Sequence, residues 1–115
     1  MEVYKKIKTQ DPVRHINKIT IQGEVISTPI RKSLKSGTDS IAFKIRSNET
    51  FFNGSKVVAH ENEFVIEALG AVVNKVQKLV VKNGTYVFDG YLRSDKYPGK
   101  KLKRIRVRIF HVEKY

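Results

Sequence analysis

The chain contains no cysteine. Disulfides and thiolate metal sites are therefore excluded, and an apolar core alone must hold the fold. Tryptophan is also absent. No apolar run approaches the roughly 20 residues of a membrane-spanning helix. The opening stretch, "MEVYKKIKTQDPVRHINK", is basic and polar and does not resemble a secretory signal. A soluble, cytoplasmic protein is the expectation. Acidic residues are scarce: 11 stand against 23 lysines and arginines, a formal net charge of +12 over 115 residues. Such an excess predicts a polyanionic partner. Nucleic acid is favoured over a membrane surface because no strongly amphipathic basic helix is visible.

Signatures of catalysis are missing as well. His15, His60 and His111 are scattered and form no metal-ligand pattern. There is no glycine-rich phosphate loop, nucleophile elbow or HExxH motif. An enzyme is not expected, and no metal or cofactor is implied. Asn48-Glu49-Thr50, Asn53-Gly54-Ser55 and Asn83-Gly84-Thr85 match the glycosylation acceptor by chance.

What the chain does have is alternation. In "NKITIQGEVIS", Ile19, Ile21, Gly23 and Val25 share one face of a strand. "TPIRKSLKSGTD" carries turn chemistry at Pro29 and Gly37. "SIAFKIRS" alternates again, with Ile41, Phe43 and Ile45 inward and Lys44 and Arg46 outward. "NETFFNGSKVVAHEN" is read as a long excursion around an Asn53-Gly54 turn, and "EFVIEALG" as a third strand. Val72, Val76 and Leu79, spaced i, i+4, i+7, predict a helix, which Asn83-Gly84 suits as a stop. "TYVFDGYLRS" and "KLKRIRVRIFHV" are the last two strands, joined through the "DKYPGK" hairpin. Gly23 and Gly90 interrupt good strands, as bulges or sharp bends do. The order is that of an all-β, five-stranded OB-fold barrel with one short helix between strands three and four. Residues 1–16 are read as an N-terminal arm or edge segment and 17–115 as the barrel.

Positive charge is concentrated. Arg93, Lys96, Lys100, Lys101, Lys103, Arg104, Arg106 and Arg108 cluster near the last hairpin against Asp95 alone, and this lack of opposing acids favours binding over a solvated edge. Alternation sends Arg104, Arg106 and Arg108 to one face and Ile105, Val107 and Ile109 into the core. The arginine row repeats every ~7 Å, roughly the spacing of phosphates on an extended single strand. A second cluster is Arg31, Lys32 and Lys35, and a third is Lys44 and Arg46. On such a barrel the outer face of strands two and three and the flanking loops form the oligonucleotide groove, and Glu61, Glu63 and Glu67 are read as marking the turn away from it. Aromatic rings would supply base stacking. Tyr97 at the hairpin tip and one of Phe51 and Phe52 are the candidates, with Phe64 either core or groove. Phe43, Phe88 and Phe110 are assigned to the core or an interface.

"NKITIQGEVISTPIRKSLKSGTDSIAFKIRS" resembles the opening of the bacterial-type single-stranded DNA-binding protein family. "LGAVVNKVQKLVVKNGTYVFDGYLRSDKY" is similar to that family's second half. The likeness spans about residues 17–112. It implies an OB-fold that oligomerises, as a dimer or tetramer, and binds single-stranded DNA with little sequence preference in replication, recombination or repair. It places Tyr97 and Phe51 or Phe52 at stacking positions, and Phe64 and Leu69 near two more. The chain ends at "FHVEKY" without the family's acidic tail, which points to a tail-less variant akin to primosomal replication protein N. An RNA-binding OB module and a primosome-type interaction module with replication-protein partners are the alternatives. A cytoplasmic, nucleoid-associated location is expected, with an organellar, phage or plasmid origin open.

Overall fold

A computed structural model describes residues 15–96 and 103–115. The elements are β1 (Ile19–Val25), β2 (Ile30–Ser33), β3 (Asp39–Asn53), β4 (Lys56–Leu69), α1 (Val72–Leu79), β5 (Thr85–Lys96) and β6 (Lys103–Lys114). The strands lie in the order β1-β5-β6-β4-β3, and β1 returns to pair with β3. This closes a five-stranded barrel, consistent with the OB-fold. The short β2 adds along β3, with Ile30 opposite Ala42 and Ser33 opposite Asp39. The segment read as a turn from Pro29 and Gly37 is thus partly a strand. The helix consequently follows the fourth strand, not the third. Among the described residues no helix is long and apolar enough to cross a membrane.

The core is built from the predicted alternation. Ile41, Phe43 and Ile45 of β3 face Ala68, Ile66 and Phe64 of β4, and all but the partly covered Phe64 are buried. Phe88, Val107, Ile109 and Val112 complete the interior. The rings of Phe43 and Phe88 meet at 5.6 Å. The helix closes one end of the barrel with Val73 and Val76, which are buried, while Val72 and Leu79 are partly covered. Fully burying a side chain of this kind contributes about 1.5–3 kcal/mol, so this cluster dominates stability.

Barrel closure rests on two glycines. At Gly23, a Cβ would stand 2.9 Å from the Arg46 carbonyl oxygen, where β1 turns from β5 to β3. At Gly90, it would stand 2.1 Å from the Arg108 carbonyl oxygen. There the ladder steps from Asp89–His111 to Gly90–Ile109, leaving Phe110 as the extra residue of a bulge. The helix stop differs from the expectation. The helix ends at Leu79, and Asn83, at φ +76°, instead turns the chain into β5. The helix end is tied by Tyr86, whose hydroxyl donates to the Leu79 carbonyl and accepts from the Val81 N–H, each at 2.9 Å.

The "NETFFNGSKVVAHEN" stretch is an extended hairpin rather than an irregular excursion. β3 and β4 stay in register from Ser40–Leu69 out to Asn53–Lys56. Among the described residues, β3 beyond Arg46 pairs only with β4. The arm turns at Gly54, whose φ of +66° suits a residue without a Cβ. Ile105 lies in the corresponding β5–β6 extension, opposite Ser94, and is 66 % exposed rather than in the core. Phe43 and Phe88 are core, whereas Phe110 is 57 % exposed because the bulge turns it outward.

Candidate nucleic-acid interface

The register places the outward-facing residues side by side. From β2 come Ile30 and Lys32, and from β3 Ser40, Ala42, Lys44 and Arg46. From β4 come Val65 and Glu67, then Arg104, Arg106 and Arg108 from β6, and Tyr91, Arg93 and Asp95 from β5. All three sequence clusters thus send residues to one curved sheet face or its rim. Tyr97, Lys100 and Lys101 lie outside the described residues, as does the side chain of Lys96.

The cations on this face fall into two kinds. Lys32, Lys35 and Lys44 are exposed and have no ion pair among the described residues. Lys35 sits in the β2–β3 turn, where Gly37 takes a φ of +87°. The others are tied. Arg31 points to the opposite side of β2 and joins it to the helix and to β3, through Gln77 and Asp39. Arg46 lies 3.1 Å from Glu61 and 4.0 Å from Glu24. Arg93 lies 3.4 Å from Asp95, and Arg104 stands opposite Asp95 across the ladder.

At the centre is a carboxylate whose role the sequence reading misplaced. Glu67 was expected to mark the turn away from the groove; it is its buried middle, 5 % exposed. Arg108 donates from Nε to Glu67 Oε2 at 2.9 Å and also pairs through Nη2. Arg106 Nη1 lies 2.7 Å from Glu67 Oε1, and its Nη2 bonds Asp95. The arginine row is therefore not an open cationic track, because acidic partners arrive from neighbouring strands. The signal was present in "FVIEALG": one acid inside an apolar strand needs a buried cation, and "RIRVRI" could supply it.

The electrostatics follow from these pairs. The Arg106 hydrogen bond, with Coulomb help from Arg106 and Arg93, holds the Asp95 carboxyl below its ordinary pKa. The hydrogen bond from Arg31, then that from Ser33, does the same for Asp39. Burial opposes the charge on Arg108, but Glu67, aided by Tyr91, outweighs it, so the guanidinium titrates above its usual value.

Above the Glu67 network lies a cavity of about 270 Å³ lined by Leu34, Ala42, Leu69, Arg106 and Arg108. A second cleft of about 280 Å³ shares Leu69 and Arg108 and is flanked by Tyr91 and Phe110. Phe51 and Phe52 lie on opposite faces of the β3–β4 arm, 48 % and 79 % exposed. Phe64 packs against the core from the inner face. Tyr91 and Phe110 were not among the predicted site residues. The bulge that exposes Phe110 has no marker in the sequence beyond Gly90.

A sequence model of the single-strand binding protein family matches residues 16–114. The chain belongs to that family. Its members are DNA-binding proteins without enzymatic activity. Solved structures share the fold at low identity. The small single-stranded DNA-binding protein of Streptomyces coelicolor superposes with a TM-score of 0.72 at 18 % identity, covering 90 % of this chain and 96 % of that one. The Plasmodium falciparum SSB in complex with ssDNA gives 0.76 at 19 %, over 84 % and 89 %. The second single-stranded DNA-binding protein of Mycobacterium smegmatis gives 0.64 at 18 %, over 87 % and 89 %. No curated protein matches the sequence.

Proposed function

We propose that this protein binds single-stranded DNA with little sequence preference across the outer face of β2, β3, β4 and β6, in replication, recombination or repair. The observation that carries this reading is the family match over residues 16–114. A net charge of +12 and an unpaired lysine set on that face agree with it. Lys32, Lys35 and Lys44 neutralise phosphates at the rim. Arg93 and Arg104 contribute from β5 and β6. Phe51 and Phe52 offer ring faces along the arm, where unstacked bases gain about 1–3 kcal/mol each. Arg31, Arg46, Arg106 and Arg108 shape the surface through their carboxylate partners and contribute less net charge to it. The long, two-sided arm and its exposed apolar residues fit assembly of a dimer or tetramer.

The test is fluorescence polarisation with labelled oligo-dT and with duplex at several salt concentrations. Tight binding to dT that weakens linearly in log–log with salt, and weak duplex binding, are expected. Competition by poly-dT against poly-U separates DNA from RNA preference, and light scattering gives the assembly mass. Equal affinity for duplex and dT would refute the reading.

A further inference from the structure

We infer that Tyr91 and Phe110, which line one cleft together with Leu69 and Arg108, form a base-stacking site on the β5–β6 side of the barrel. This rests on the proposed binding of single-stranded DNA and adds a site to it. The pair was hidden in the sequence because Phe110 sits in a strand of alternating apolar residues and reads as core. Its exposure is built by the backbone. The β6 bulge leaves Phe110 without an opposite residue, and Gly90 lets β6 pass at a distance no side chain would allow. A phenylalanine 57 % exposed at the wall of a cleft offers a ring face that a flat apolar group can cover.

The occupant is argued from charge. Lys32, Lys35 and Lys44 lie exposed on the same face, with no ion pair among the described residues. A second copy docking this face on its own image by a two-fold axis would bring a second set of lysines onto the first. A nucleotide brings an apolar π-face for the rings and a phosphate for the cations. The guanidinium of Arg108 is held by Glu67, so its place in the cleft lining is fixed before any ligand arrives. The cleft joins the Leu34–Ala42 cavity through Leu69 and Arg108, so a strand lying along the face crosses both.

The experiment compares the wild-type protein with Phe110→Ala and Phe110→Tyr, using fluorescein-labelled oligo-dT at several salt concentrations and light scattering for mass. Phe110→Ala is expected to weaken dT binding about tenfold, within the range of one lost stack, with the salt slope unchanged. Phe110→Tyr, which keeps a flat ring, is expected to stay within about twofold of wild type. An alanine variant as tight as wild type would overturn the site. So would equal losses in both variants, or a change of mass in Phe110→Ala, which would make the cleft a subunit contact. If the wild-type protein itself ignores dT, the functional reading falls and the site with it; binding by wild type with any of the other failures removes the site alone.

Discussion

Replacing Glu67 by glutamine should destabilise the barrel and at the same time sharpen the salt dependence of DNA binding. The glutamine keeps the shape and one acceptor oxygen but removes the charge. Arg106 and Arg108 then stand side by side with no central anion, their side chains 21 % and 16 % exposed. At a dielectric suited to a partly solvated site, a unit pair near 4 Å is worth about 4 kcal/mol gross. Water reaching both arginines returns part of this, and Asp95 still holds Arg106. Breaking a fully buried pair costs about 3–5 kcal/mol, so about 2–4 kcal/mol is expected here. For a domain of this size that is a fall in Tm of roughly 8–15 °C. Circular dichroism melts and urea titrations read it directly. The released guanidiniums become available to phosphates, and each new contact steepens the log affinity–log salt slope by about 0.7. The two readouts should therefore move in opposite senses, stability down and slope up. A variant within about 0.5 kcal/mol of wild type would refute the claim that Glu67 organises this face. Lower stability with an unchanged slope would refute the claim that it withholds the arginines from DNA.

Gly90→Ala should prevent normal closure, since the added carbon would meet the Arg108 carbonyl at 2.1 Å; expect insolubility or a loss of at least about 3 kcal/mol by urea titration, and a native-like melt would refute the reading. Lys44→Gln should leave Tm unchanged and reduce the salt slope for dT by about 0.7, because Lys44 is exposed and unpaired among the described residues. Asp39 and Asp95 titrate below their ordinary value when folded. The folded state therefore binds fewer protons there than the unfolded chain. Their contribution is complete above about pH 5 and is lost as pH falls below about 4 through the folded values. Urea titrations at pH 6, 4 and 3 should show this decline, with a shallower acid limb in Asp39→Asn/Asp95→Asn; the same acid limb in the double variant would contradict it.

The barrel was legible wherever one strand face was apolar and the other polar. Ile41, Phe43 and Ile45 could face only inward, and Val72, Val76 and Leu79 could form only one helical stripe. Two elements escaped for the same reason. β2 is exposed at every position, and the β3–β4 arm beyond Arg46 buries little on either side. Alternation reports burial, and a strand that pairs without burying anything has no alternation to report. Asn83-Gly84 misled differently. Its turn chemistry is real, but the Leu79 carbonyl finds its partner in Tyr86, seven residues on, so the helix ended four residues before the left-handed Asn83.

The site was harder to read because its chemistry runs across strands. Within β6, arginine at every second position says that three cations share a face, and nothing in that strand says what lies beside them. Glu67 reaches Arg108 over 41 positions of sequence, and Asp95 reaches Arg106 across a hairpin. Once these partners are counted, positive charge belongs to the rim, at Lys32, Lys35 and Lys44, while the centre is nearly neutral and lined by Leu69, Tyr91 and Phe110. That division suits a flexible polyanion. Phosphates are well solvated and are met best by exposed lysines that stay in water. Bases are poorly solvated and gain from a partly apolar floor whose arginines are already paired with carboxylates. Under the proposed binding mode, unpaired arginines in the middle would hold phosphates where bases are to lie, and the pairing of Arg106 and Arg108 with Glu67 works against that.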